Sequence, residues 1–148
     1  MQNTEILDFI KNMRHDFSNC LQIIKGYIEI NHISDIQFII DNWVENMNNE
    51  RIIFNCADAE LSLHLYNTKF LARKFGLNLV YDEINIIDSE LLIVKNEPFH
   101  SLCLFRESNY NNWEELLVHI KLNENISRIN MCFQVENSNP YKEYIIKE

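Results

Sequence analysis

The sequence predicts an α+β protein: an N-terminal antiparallel helical hairpin over residues 1–56, then a small α/β domain over residues 57–148. Three observations carry that expectation. Ile6, Ile10, Met13, Phe17, Cys20, Ile24 and Tyr27 are spaced four and three in strict alternation, the heptad seam of one long helix. A second stripe, Ile36, Ile40, Trp43, Met47 and Phe54, follows a turn so short that the two helices must pack antiparallel. Past Asn55 the apolar period drops towards two, the spacing of strands.

The first helix is expected from about Thr4, a plausible N-cap, to Ile30. Asn31 to Ser34 reads as the turn, with Ser34 or Asp35 capping the second helix, whose stripe is widened by Ile39, Val44 and Ile53 and broken only by Glu50. Tyr27, Ile28, Ile30, Ile39, Ile40 and Trp43 give the hairpin more apolar surface than one partner helix covers. At about 25 cal/mol per Å2, leaving that stripe wet costs several kcal/mol. A homodimer closing a four-helix bundle is therefore expected.

Asp58 to Phe75 reads as a third helix with Leu61, Leu65 and Leu71 inward and Gly76 at its C-terminal end. Leu77, Leu79 and Tyr81 alternate as a strand, Leu91 to Val94 suggests a second, and Pro98 opens a short helix to about Arg106. Leu116, Val118, Ile120 and Leu122, then Ile129, Met131, Phe133 and Val135, read as a hairpin around Asn123 to Ser127.

Bulk properties remove several function classes. With 148 residues, 47% of them hydrophobic, one compact domain or a helical module with a small second domain is affordable. A net charge of −9 argues against nucleic acid. No run of roughly 18 apolar residues exists, so no membrane span is expected. The first residues lack the basic region and cleavage site of a signal peptide, which makes a cytoplasmic protein the expectation. Cys20, Cys56, Cys103 and Cys132 are widely spaced, which speaks against a disulfide framework or zinc site. Gly26, Gly76, Pro98 and Pro140 are the only glycines and prolines, so no glycine loop cradles a phosphate.

One residue stands out chemically. If Phe17 holds an a position, His15 holds f, pointing away from the seam. Its face carries Lys11 and Asn12 one turn back and Ser18, Asn19 and Gln22 ahead, all polar. Exposed imidazoles are largely neutral at pH 7 and nucleophilic through the free nitrogen. Asp16 leaves the helix about 100° away yet can reach one ring nitrogen. Asn19 can hydrogen-bond a phosphoryl oxygen or a partner, and Arg14 can offset phosphoryl charge. Gly26 lies eleven residues beyond His15, three turns to within about 20°. A glycine inside a helix costs about 1 kcal/mol relative to alanine. Either a partner's backbone approaches closely there, or the second helix does. His32 sits in the hairpin turn and reads as solvated, His64, His100 and His119 have no carboxylate or cysteine at ligand spacing, and Trp43 and Trp113 read as core anchors.

The run Arg14-His15-Asp16-Phe17-x-Asn19-x-Leu21-Gln22-x-Ile24-x-Gly26-Tyr27 resembles the phospho-acceptor helix of the sporulation initiation phosphotransferase B family. Its Arg-His-Asp-aromatic-x-Asn core is also similar to the dimerisation helix of some quorum-sensing and citrate-type sensor kinases. The resemblance is dense over residues 14–27 and extends to about residue 55. It implies a dimeric four-helix bundle with a phosphorylatable histidine, followed by a degenerate histidine-kinase ATPase domain. It makes His15 the phosphorylated residue, surrounded by Arg14, Asp16, Asn19 and Gln22. Lys11, Ser18 and Gly26 are the expected docking positions for a response-regulator receiver domain.

Where a nucleotide-binding kinase would show its first glycine box, the sequence reads Glu136-Asn137-Ser138-Asn139-Pro140. No Asp-x-Gly stands there and no Gly-x-Gly follows. The expectation is a phosphotransferase of two-component signalling, acting in a relay with sporulation as the family's output. It needs no ATP and no cofactor of its own, the magnesium belonging to the receiver. The alternative is a non-catalytic, kinase-like protein that binds a regulator or kinase and modulates signalling.

Overall fold

A computed structural model of the chain describes residues 3–56, 58–109, 115–126, 128–138 and 142–147. The chain divides into two compact units, Met1–Asn48 and Asn49–Glu148.

In the first unit, α1 (Asn3–Glu29) and most of α2 (Ile33–Phe54) are joined by three residues. Asn31, at φ 60°, ends α1: its N–H donates to Ile28 O, and that of His32 to Tyr27 O. This is the paired-bond helix stop that favours glycine or asparagine at the left-handed position. The second helix begins at Ile33, one to two residues before the expected caps, with His32 Nδ1 2.9 Å from Asp35 Oδ2. The side chains at Thr4 and its neighbours lie outside the described residues.

The seam divides. Cys20 is buried at 6% exposure, Ile24 and Tyr27 are half-buried, and the Phe17 and Trp43 rings meet at 5.7 Å. Ile6, Ile10, Phe17, Leu21 and Ile28 stay exposed, as do Ile33, Ile40, Val44 and Met47 of α2. On an ideal helix each of these two sets spans only about 60° of arc. Each helix therefore carries one inner edge and one concentrated apolar flank, with Leu7, Met13, Ile23 and Phe38 also exposed outside those arcs.

The second unit lays helices on one face of a four-stranded sheet ordered β1-β2-β3-β4. α3 (Ala59–Arg73) leads into β1 (Leu77–Asn85). α4 (Glu90–Val94) and α5 (Phe99–Asn109) form the crossover to β2 (Leu116–Asn125), which pairs parallel to β1. β3 (Arg128–Val135) and β4 (Lys142–Lys147) complete an antiparallel meander. The alternation expected in β2 and β3 is what faces the core: Leu116, Val118, Ile120, Leu122, Ile129, Met131, Phe133 and Val135 are all buried. Against them pack Leu61, Leu65 and Ala72 of α3, Leu92 of α4, and Leu102 and Phe105 of α5. In α3 the inward residues after Leu65 are Thr68 and Ala72; Leu71 is only half-buried.

Two local expectations are corrected. Leu91 to Val94 is a helical turn, not a strand. Asp88 Oδ1 accepts the Glu90 N–H at its start, and Asn96 at φ 52° closes its end, with Glu97 N donating to Leu92 O at 2.8 Å. The strand β4, which the sequence reading did not include, buries Ile146 against the core. Gly76, at φ 68°, supports the expected end of the α3 region, in a conformation that costs other residues a Cβ clash.

The last turn of α2 packs with the second unit. Ile53 is 1% exposed in its core, and Ile53 O accepts from Ser62 Oγ at 2.9 Å. Glu50, the polar break in the α2 stripe, receives Lys69 Nζ at 2.8 Å, with side chains 19% and 8% exposed. The break is a part-buried ion pair.

Candidate functional site

The structure places His15 on the water side of α1, its side chain 72% exposed. On an ideal helix it lies about 150° from the uncovered apolar flank. An apolar partner on that flank leaves the imidazole open. Lys11, Arg14, Ser18, Asn19 and Gln22 are also exposed, and Asp16 is half-buried. Helical geometry decides which neighbours touch the ring. Residues four apart stack on one face, whereas adjacent residues diverge. Accordingly Asn19 Nδ2 is 3.2 Å from His15 Nδ1, within hydrogen-bond reach, while Asp16 Oδ1 is 3.7 Å from the same nitrogen. Lys11 is turned back to Asp8 at 3.1 Å.

A Cβ built on Gly26 meets nothing within 4 Å. Tight contact with α2 is thus not what calls for a glycine there.

Two of the other histidines have partners that lie far off in sequence. His64 Nε2 lies 2.7 Å from Glu97 O, and His119 Nδ1 lies 3.0 Å from Asp82 Oδ1. The carboxylate beside His119 comes from the neighbouring strand, at the bulge between Tyr81 and Glu83. No spacing within one segment signals it; only the β1–β2 register does. Asp82, His119, Lys121, Cys132, Gln134 and Glu143 line a shallow cavity of about 240 Å3 on the sheet face opposite the helices. Burial pushes the Cys132 thiol up from its ordinary value, with Glu143 adding to it. That thiol is a poor nucleophile.

The turn after β3, where a glycine box would fall, closes on itself: Ser138 N–H and Oγ both donate to Val135 O. Asn139 and Pro140, and likewise Trp113, lie outside the described residues. Among the described residues no group of three or more His, Cys, Asp or Glu is placed to hold a metal ion. No helix among them is long and apolar enough to cross a membrane.

The helical hairpin thus carries a polar histidine face and a separate apolar flank. Residues 1–56 match the family model described as the sensor kinase SpoOB-type, alpha-helical domain. The match covers the helical hairpin and suggests a protein related to two-component signalling. No curated protein matches the chain.

Proposed function

We propose that the protein is a phosphorelay histidine phosphotransferase working through His15, on a homodimeric four-helix bundle. The single observation carrying this reading is the open imidazole on an all-polar face, turned away from the apolar flank, in the SpoOB-type helical domain. A receiver domain docks along that face, its aspartyl phosphate meeting the ring. A ring-nitrogen lone pair forms the P–N bond as the P–O bond to the aspartyl carboxyl breaks, and that electron pair leaves with the carboxylate. In the second half a receiver carboxylate attacks phosphorus, the P–N bond breaks, and its pair returns to the ring nitrogen. Positioning and electrostatics supply most of the catalysis in such a transfer. Arg14 balances phosphoryl charge, and Lys11, Ser18 and Gly26 border the docking face. Magnesium belongs to the receiver, ATP has no part, and sporulation is the output the family name suggests.

The test is incubation of the protein with a phosphorylated receiver. Phosphate that is acid-labile and maps to His15, and is lost in His15→Ala, supports the relay. Transfer surviving His15→Ala refutes it. Receiver binding without any transfer favours the non-catalytic signalling modulator instead.

A further inference from the structure

We propose that the shallow cavity on the open face of the sheet binds a small zwitterion, an α-amino acid held between Lys121 and Glu143. The site lies in the second unit and stands independently of the relay reading.

The case begins with register. Lys121 of β2, Cys132 of β3 and Glu143 of β4 lie abreast and line the cavity together, on the face that the helices leave uncovered. Burial first, then Glu143, pushes the Cys132 thiol up while Lys121 opposes, so both charges act on the group between them. Among the described residues, however, neither Lys121 nor Glu143 has an ion-pair partner.

The sheet itself keeps them apart. Adjacent strands are about 4.8 Å apart, so upright side chains two strands apart are separated by about 10 Å. Charge-assisted hydrogen bonds of about 2.8 Å at each end leave a gap of about 4 Å. That is close to the reach from the ammonium nitrogen to the carboxylate of an α-amino acid. A simple anion placed there would face Glu143, and a simple cation would face Lys121. One ligand carrying both charges on a single carbon satisfies both, whereas a peptide terminus offers only one of them.

The remaining lining sets size and polarity. Asp82 is already committed, with His119 Nδ1 3.0 Å from Oδ1 and 3.2 Å from Oδ2. With that nitrogen as the donor, the other ring nitrogen is left to accept. The Gln134 amide donates to Ser138 O at 3.2 Å, and its Oε1 remains an acceptor. Both acceptors suit a hydroxyl on the ligand. At about 240 Å3 the cavity falls below the roughly 300–1,000 Å3 of sites for drug-sized molecules, which points to a ligand of few atoms.

The experiment titrates the full, uniformly 15N-labelled chain with L-serine and with its two halves. Ethanolamine lacks the carboxylate, and 3-hydroxypropionate lacks the ammonium. L-serine is expected to shift the amide signals of Lys121, Cys132 and Glu143 saturably, with a dissociation constant of about 1 mM for so few ligand atoms. Each half should bind at least about tenfold more weakly, as should L-serine to Lys121→Met or Glu143→Gln. Both side chains are exposed, so the two variants should melt as the parent does. No saturable shift with L-serine overturns the site. So does a half that binds as well as the whole, or a pair of variants that bind L-serine as the parent does. None of these readouts depends on phosphate reaching His15, so this site and the relay fail separately.

Discussion

Replacing Leu21 and Val44 together with glutamate tests the paired-hairpin scaffold on which the open histidine depends. Both side chains are half exposed and belong to the uncovered flanks of α1 and α2. The single hairpin should therefore tolerate the change. Nine large apolar side chains line the two flanks: Ile6, Ile10, Phe17, Leu21 and Ile28, with Ile33, Ile40, Val44 and Met47. Covering the exposed half of each is worth about 1 kcal/mol, on the order of 18 kcal/mol for two protomers. Association itself costs about 4–15 kcal/mol, leaving a surplus of about 3–14 kcal/mol, the middle of which, about 8 kcal/mol, corresponds to a micromolar dissociation constant. The double variant sets four carboxylates into that interface, at several kcal/mol for each one buried without a partner. The dissociation constant should then rise more than about a thousandfold, the equivalent of roughly 4 kcal/mol. Sedimentation equilibrium from 1 to 100 μM reads both proteins. A parent chain that remains monomeric at the upper concentration, or a variant that pairs as tightly as the parent, refutes the reasoning.

His15→Ala should leave the thermal midpoint of the hairpin within a degree or two, about 0.5 kcal/mol for an exposed position, while ending transfer; circular dichroism melts check the first half. A Cβ at Gly26 meets nothing within 4 Å, so Gly26→Leu should stabilise the hairpin by up to about 1 kcal/mol. If a receiver backbone approaches there it should weaken docking, and unchanged affinity in a binding titration would mark Gly26 as no contact. The Ser89 hydroxyl and the Glu60 N–H hold the Asp58 carboxyl below its usual range. A depressed folded value adds stability above the unfolded pKa of about 3.9 and loses it as pH falls through the folded one. Ser89→Ala should therefore cost about 1 kcal/mol at pH 7, and the gap to the parent in urea midpoint should close as pH falls through the depressed folded value of Asp58.

Much of the fold was legible because its apolar residues repeat cleanly. The heptads of α1 and the two-residue alternation of β2 and β3 leave little choice of structure, and Asp58 and Gly76 mark the limits of the α3 region by their own chemistry. The run Leu91 to Val94 was not legible in that way. Four apolar residues suit a strand or a helical turn equally, and the decision fell to Asp88 and Asn96 at its ends. β4 escaped because its apolar residues, Tyr144 to Ile146, sit between charged ends and give too short a pattern. For the site, the face around His15 followed from helical spacing alone. The proximity of Asn19 to Nδ1, closer than Asp16, needed side-chain positions. The Asp82–His119 pair needed the register of two strands distant in sequence.

The Glu50–Lys69 pair has a consequence for how such a chain can be rearranged. The residues that change character near Asn55 invite a cut there, yet the second unit draws Glu50 and Ile53 from upstream of it. Exchanging the hairpin for a relative's, as a cassette ending at residue 56, would strand the Lys69 ammonium group inside the second unit unless the incoming hairpin carried a matching acid. Modular exchange between relatives is therefore policed by one lysine, and the practical splice point lies within a helix.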